Sequence, residues 1–249
     1  MASSLTNSET VADASTASST SHSTSRGAAE PHTAHPDNYG AKRTLLLYIT
    51  LSALMACTAL ATDIFLPGVP EITAELGSGE ELMITSFLLG FALAQLILGP
   101  VSDRVGRKIP LSAGMIVFAL GAAWCAVADT MPELIIARIL QAVGACTGPM
   151  LARAIVRDIY EGTRAAQVLS TLMLIMALAP ILGPLMGGFL VVAGGWRWTF
   201  WAISAVALVI FGLILFLPES LPPAKRDSGS ILSAFVNYPV LFKNGPFMR

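Results

Sequence analysis

The sequence predicts an all-α integral membrane protein of six transmembrane helices, and three observations carry that expectation. The chain is 54% hydrophobic and only 12% charged, against about 25% charged in soluble domains, and its mean hydropathy is +0.69. Its apolar residues run unbroken for about 20 positions at a time, the length that a helix rising 1.5 Å per residue needs to cross a hydrocarbon core of about 30 Å. Charge collects in the short segments between those runs. A membrane β-barrel is excluded by the same runs, which lack alternating segments of about ten residues.

Residues 1–42 are rich in Ser, Thr, Ala and His, with scarcely a large apolar side chain. Such a stretch cannot bury enough surface to offset the entropy of ordering it, so a disordered tail is expected. A cleavable signal peptide is not expected here, because the stretch has neither a basic n-region nor an apolar h-region. The bundle is expected over 43–220, with spans over about 44–68, 82–102, 109–128, 133–153, 166–192 and 199–217. After Pro218 the chain leaves through PESLPPAKRDSGS, a mixture of Pro, Ser and charge typical of a linker. Residues 221–249 are expected to be a cytoplasmic connector toward a second half that the sequence does not contain.

Basic residues in short loops are retained on the cytoplasmic side. Lys42, Arg43, Arg104, Arg107, Lys108, Arg153, Arg157, Arg164, Lys225 and Arg226 fall on one side of the spans, and only Arg197 on the other. Both termini are therefore expected to be cytoplasmic in an inner (plasma) membrane. The segment between spans one and two holds Glu71, Glu75, Glu80 and Glu81 and reads as an outer loop, while Trp196, Trp198 and Trp201 around Arg197 read as an interfacial aromatic anchor. Cys57, Cys125 and Cys146 lie within spans as small packing residues, and no metal site or cofactor is expected.

The densest cluster of charge is the turn GPVSDRVGRK at 99–108, set between two spans. Gly99 would let the flanking helices approach, Gly106 would relax the turn, and Asp103 could accept from a neighbouring helix N-terminus. Arg104, Arg107 and Lys108 could pair with acids such as Asp158 or Glu161.

Two charges lie inside the spans. Asp63 is about 10 Å from the outer end of span one, and Arg138 is about 9 Å into span four from the same side. An unpaired charge in lipid costs several kcal/mol, so both should face the bundle interior, where they could pair or share a water. The residues alone leave open that Asp63 caps the outer interface, or that Arg138 is a static structural partner. In span five, Ala179, Gly183, Pro184, Gly187 and Gly188 suit close helix packing around a kink. Met55, Met83, Met173, Met176, Tyr48 and Gln95 could line a broad apolar pocket or simply pack.

These motifs resemble those of the major facilitator superfamily. Gly99, Asp103, Arg104, Gly106, Arg107 and Lys108 match its G-x-x-x-D-R-x-G-R-R/K loop between helices two and three. Asp63 and Pro67 resemble a D-x-x-x-P pattern of drug/proton antiporters, and TDIFLPGVP resembles the first helix of the bicyclomycin/chloramphenicol-resistance efflux branch. Arg138, Gln141 and Gly144 resemble the fourth-helix motif R-x-x-Q-x-x-G. Gly183, Pro184, Gly187 and Gly188 resemble the antiporter motif G-x-x-x-G-P-x-x-G-G, with Ala179 in place of its first Gly.

The resemblance implies the N-terminal six-helix bundle of a twelve-helix fold. It implies a proton-coupled multidrug efflux antiporter working by alternating access, with Asp63 and Arg138 in proton coupling and 99–108 as a cytoplasmic gate. The partners implied are a small-molecule substrate, protons, the lipid bilayer, and a second six-helix half or a second copy. A proton-linked metabolite exporter, and a truncated non-transporting remnant or partner subunit, are the alternatives. Enzymatic chemistry is not expected, since GxxxxGK, HExxH, GxSxG and Cys/His metal spacings are all absent from the sequence. Nucleic-acid binding is not expected either, because the basic residues are confined to loops and juxtamembrane positions.

Overall fold

The computed structural model describes residues 41–222. The tail expected over 1–40 and the connector expected over 223–249 lie outside the described residues. Within them the chain forms helices α1 (Ala41–Asp63), α2 (Val69–Leu76), α3 (Glu80–Val105), α4 (Lys108–Val127), α5 (Met131–Ala145), α6 (Thr147–Ile159), α7 (Gly162–Gly194) and α8 (Arg197–Leu215), with a 3₁₀ turn at Leu66–Gly68 and no strand. Six segments are long and apolar enough to cross a membrane, Lys42–Leu76, Glu80–Val105, Lys108–Val127, Met131–Ile159, Gly162–Gly194 and Arg197–Leu215. Each overlaps one expected span. The first helix starts at Ala41, two residues inside the stretch read as tail.

The breaks have local causes. α1 stops before LPGVP, where Pro67 and Pro70 lack the N–H that a continuing helix needs, and each proline sits in the first turn of the next element. The segment read as an outer loop thus contains α2. α3 turns into α4 through Gly106 at φ +103°, a conformation glycine adopts without a Cβ penalty. α5 opens on Thr130, whose hydroxyl accepts from Glu133 N, while the Glu133 carboxylate reaches back to Asp129 N. Cys146 joins α5 and α6 with little change of backbone conformation.

α4 packs against α5 and α8 at the centre of the bundle, and glycines set how closely. A Cβ at Gly144 would lie 2.3 Å from Phe118 N, and one at Gly121 would lie 2.5 Å from Gln141 N. α4 and α5 therefore meet backbone to backbone, as small residues permit in membrane helices. Two hydroxyls bond across helices, Thr58 Oγ1 to Ala145 O at 3.2 Å and Ser204 Oγ to Ala119 O at 2.9 Å. α3 and α7 lie at the margin. Of the most apolar window of each span, 67% is buried in α5–α6 but only 17% in α7, so Ile181, Leu185 and Phe189 point outward.

At the outer end, α2 is clamped to the start of α8. Glu71 Oε2 accepts from Trp196 N at 3.1 Å, and Glu75 accepts from Trp196 Nε1 at 2.8 Å and from Arg197 at 2.6 Å. Trp196 is accordingly buried, stacked edge-on to Phe200, and is not an interfacial anchor. The glutamates of α2 draw its indole inward, and of the three tryptophans around Arg197 the other two, Trp198 and Trp201, remain exposed. Met55 and Met83 are also core residues.

Gly121→Ala is expected to cost about 1–3 kcal/mol by overpacking, whereas Gly212→Ala, where a Cβ meets open space, should cost nothing. Unfolding of the two purified variants in mixed detergent micelles measures the difference, and equal stability would show that the α4–α5 contact is not set by this glycine.

Candidate functional site

Three clusters bring the expected residues together. The first is the turn between α3 and α4. Arg107 is buried, with Nε donating to Asp158 Oδ2 at 2.9 Å and one terminal nitrogen donating to Ser102 Oγ and to Asp103. Burial alone pulls the Arg107 pKa down, but the hydrogen bonds and charges of Asp158 and Asp103 outweigh it and hold the pKa above its ordinary value. The guanidinium is a permanent cation tying α3, α4 and α6. The expected pairing with Asp158 is present.

Asp103 is placed differently from the expectation. It accepts from Arg107 one helical turn on, and the α4 N-terminus is capped by Glu219, which accepts from Arg107 N at 2.8 Å and Lys108 N at 3.2 Å. The reach is short because α8 ends beside the start of α4, and an acid there meets unpaired N–H groups at the positive end of the helix. Glu219 is a functional candidate that the loop pattern did not reveal. The LPES segment after the last span is the signal that could have found it. Lys108 Nζ donates to Leu215 O at 2.8 Å, closing the same knot from the other side. A Cβ at Gly99 would meet open space among the described residues, so this glycine does not bring α3 and α4 together. The two helices diverge from Gly106.

The second cluster surrounds Arg138, which is 1% exposed. One terminal nitrogen donates to Gln141 Oε1 at 2.8 Å and to Ala61 O at 3.2 Å. The guanidinium carbon lies 4.1 Å from the Phe65 ring centre, 4.5 Å from Phe87 and 5.6 Å from Phe200. A planar, weakly hydrated cation suits such a cage. Gln141, one turn along α5, supplies the neutral acceptor. Gly144, one turn further, gives α4 room to approach.

The third cluster is Asp63 with α7. A Cβ at Gly183 would stand 3.0 Å from Asp63 Cβ, and one at Gly187 would stand 1.8 Å from Ile64 O. The end of α1 rests on these two glycines of α7, and Ala179, one turn before Gly183, is buried. Gly188 lies off this contact, with nothing near its Cβ position. Asp63 and Arg138 form no ion pair among the described residues, which settles a point that the sequence leaves open. Ala61 and Asp63 are two residues apart, about 200° around a helix, so Arg138 holds the Ala61 side of α1 while Asp63 faces α7.

A recess at the basic end is lined by Gln95, Gly99, Ser102, Asp103, Arg107 and Arg153. Of the residues singled out as pocket candidates, only Gln95 lines it. No group of His, Cys, Asp and Glu able to hold a metal occurs among the described residues.

Residues 51–248 match the family model described as Major Facilitator Superfamily. The chain is 36% identical over 213 residues to the uncharacterized MFS-type transporter YdgK of Bacillus subtilis (strain 168), covering 83% of this chain and 53% of that protein. It is 31% identical over 194 residues to the multidrug resistance protein MdtL of Escherichia coli O9:H4 (strain HS), covering 74% and 50%. The chain thus spans about half the length of the curated relatives it matches. Among solved structures, the proton:xylose symporter XylE superposes with a TM-score of 0.64 at 16% identity over 82% of this chain and 52% of that one. The human organic anion transporter MFSD10 (TETRAN) gives 0.59 at 22% identity, over 78% and 51%. These relatives are transporters and not enzymes.

Asp158→Asn, which leaves the largely buried Arg107 short of one counter-charge, is expected to destabilise the bundle by about 1–3 kcal/mol. Glu75→Gln, at the exposed outer clamp, should cost less. Micellar unfolding of both variants checks the order, and a larger loss from Glu75→Gln would reverse the ranking of the two knots.

Proposed function

The chain belongs to the Major Facilitator Superfamily, and from that premise we propose that it forms the N-terminal bundle of a proton-driven exporter of amphipathic small molecules. In this reading it is an antiporter working by alternating access in the plasma membrane, with both ends of the bundle chain on the cytoplasmic side. One observation carries the proposal. Asp63 is a carboxylate inside the first span, at the point where the helix breaks, with no hydrogen bond or ion pair among the described residues. A charge at that depth is costly unless it is neutralised by a proton or by a bound cation, which makes the site responsive to both.

The neighbouring groups support the same reading. Pro180 and Pro184 of α7 each remove a backbone N–H, leaving the carbonyls of Met176 and Pro180 without their intrahelical donors. The helix is therefore pliable beside Gly183, where it touches Asp63. Arg138 acts as the fixed cation that holds α1 at Ala61, and the 99–108 turn acts as the cytoplasmic gate through Arg107 and Asp103. The name of the relative MdtL supports a drug-like substrate, and the twelve-helix architecture makes a second six-helix half, or a second copy, the partner that closes the path. The first-helix pattern TDIFLPGVP resembles that of the bicyclomycin/chloramphenicol-resistance branch, which supports that subgroup.

The transport-competent protein in inverted membrane vesicles should accumulate ethidium when the lumen is acidified. Asp63→Asn should abolish this, and Arg138→Lys should reduce it by roughly tenfold or more, since lysine loses the planar contact with the aromatic rings. Gradient-driven accumulation unchanged in Asp63→Asn would sink the proposal.

A further inference from the structure

The outer end of the bundle is covered by α2, and little apolar surface holds it there. The helix is eight residues long, too short to be stable by itself. Ile72 is its buried side chain, with Val69 and Leu76 packed partly against the same cluster. The rest of the attachment is polar and gathered in one place. Glu71 and Glu75, one turn apart on α2, hold the backbone N–H of Trp196, its indole N–H and the Arg197 guanidinium, which reaches both Glu75 oxygens at 2.6 and 2.7 Å. The Glu75 side chain is 49% exposed, and an open recess lined by Glu71, Ala74, Glu75 and the 194–197 turn runs along this seam. Glycines flank the helix, Gly68 before it and Gly77 and Gly79 after it at φ +88° and +143°, so the backbone can swing at its end without a Cβ penalty.

What these ties hold in place leads to Arg138. Ile72 shares the outer apolar cluster with Phe65, Cys125, Trp196 and Phe200. Trp196 stands edge-on to Phe200 at 6.0 Å, Phe200 stacks on Phe65 at 5.9 Å, and both phenylalanine rings face the Arg138 guanidinium. The indole that the two glutamates hold is thus the outer layer of the packing that keeps water from the buried cation. The other side of the latch is anchored in the core, since Arg197 also donates to Ala128 O at 3.1 Å in the turn between α4 and α5 and lies 3.9 Å from Asp129. A segment with few buried apolar contacts and solvent-exposed hydrogen bonds is where a fold opens locally, at less cost than global unfolding. We propose that α2 is a lid over the aromatic cage of Arg138, latched by Glu75 on Trp196 and Arg197, and that it opens and closes as a unit while α4, α5 and α8 stay packed.

The lid does not depend on transport, and native side chains report it. Cys125 is buried in the outer cluster under discussion, whereas Cys57 is buried in the other apolar cluster of the bundle. The full chain in lipid nanodiscs is exposed to N-ethylmaleimide, and the labelling of each cysteine is timed by mass spectrometry. Glu75→Gln and Arg197→Gln should each speed the labelling of Cys125 by roughly threefold to tenfold, the scale of an exposed, charge-assisted tie, and leave Cys57 unchanged. Gly68→Ala, whose Cβ would stand 2.8 Å from Trp196 Cβ, should do the same without touching a charge. Raising the salt to about 1 M should speed Cys125 in the unsubstituted chain and do less in Glu75→Gln, because an exposed ion pair is screened. Cys125 labelling unmoved by both charge variants overturns the proposal. So does a rise of Cys57 in step with Cys125, which would make the opening a loosening of the whole bundle, and a salt effect undiminished in Glu75→Gln removes Glu75 from the latch and overturns it as well.

Discussion

The bundle is organised around a guanidinium buried away from bulk solvent. Arg138 lies within a membrane-spanning helix, and each contact that makes its charge tolerable comes from a different part of the fold. Ala61 of α1 gives a carbonyl, Gln141 of α5 gives an amide oxygen, and Phe65, Phe87 and Phe200 give ring faces from the α1–α2 break, α3 and α8. The carbonyl is available for a structural reason. α1 ends two residues beyond Ala61, and carbonyls in the last turn of a helix have no donor within it. The proline-driven break in the first span and the buried cation in the fourth are two halves of one solution, since the negative end of α1 needs a positive partner as much as the cation needs an acceptor.

Packing around that centre is uneven in a way that matters for motion. α4 and α5 are locked by glycine-mediated backbone contact, and α8 is tied to α4 at one end through Glu219 and to α2 at the other through Glu71 and Glu75. α7 rests on α1 through Gly183 and Gly187, and the most apolar window of α7 is the least buried of the six spans. A contact of small residues resists separation by dispersion alone and presents no interlocking side chains to sliding. The element that touches Asp63 is therefore among the least constrained in the bundle.

Much of this was legible in the sequence. Six unbroken apolar runs near the length of a bilayer core gave the spans, because in lipid the backbone has few alternatives to the helix. The R-x-x-Q-x-x-G spacing already places Arg138, Gln141 and Gly144 on one face at successive turns. What could not be read was which side of α1 each neighbour touches. Depth along an axis follows from counting residues, and Asp63 and Arg138 do lie at similar depth, but rotation about the axis depends on packing. The Glu219 cap was hidden for a related reason: it joins positions 107 and 219, and no local pattern carries a contact of that separation. Trp196 was misplaced because an indole next to an arginine looks interfacial until the glutamates of α2 are folded onto it.

The separation of Asp63 from Arg138 changes what coupling between them would have to be. In a direct pair, protonation of the acid would release the arginine, and the signal would be electrostatic and local. Here the two groups act on opposite sides of the same short stretch, Ala61 to Ile64, with Arg138 pulling on one carbonyl and the glycines of α7 pressing on the next turn. Under the proposed function, a change of charge at Asp63 would alter how that stretch sits on α7, while Arg138 would keep its other side fixed. The proton would then be read as a small rotation or opening of the α1 break against a pliable α7, and Arg138 would serve as the anchor that turns a local change of charge into displacement. An anchor of this kind requires a rigid, permanently charged, planar group more than a titrating one, which is the chemistry that the aromatic cage around Arg138 selects.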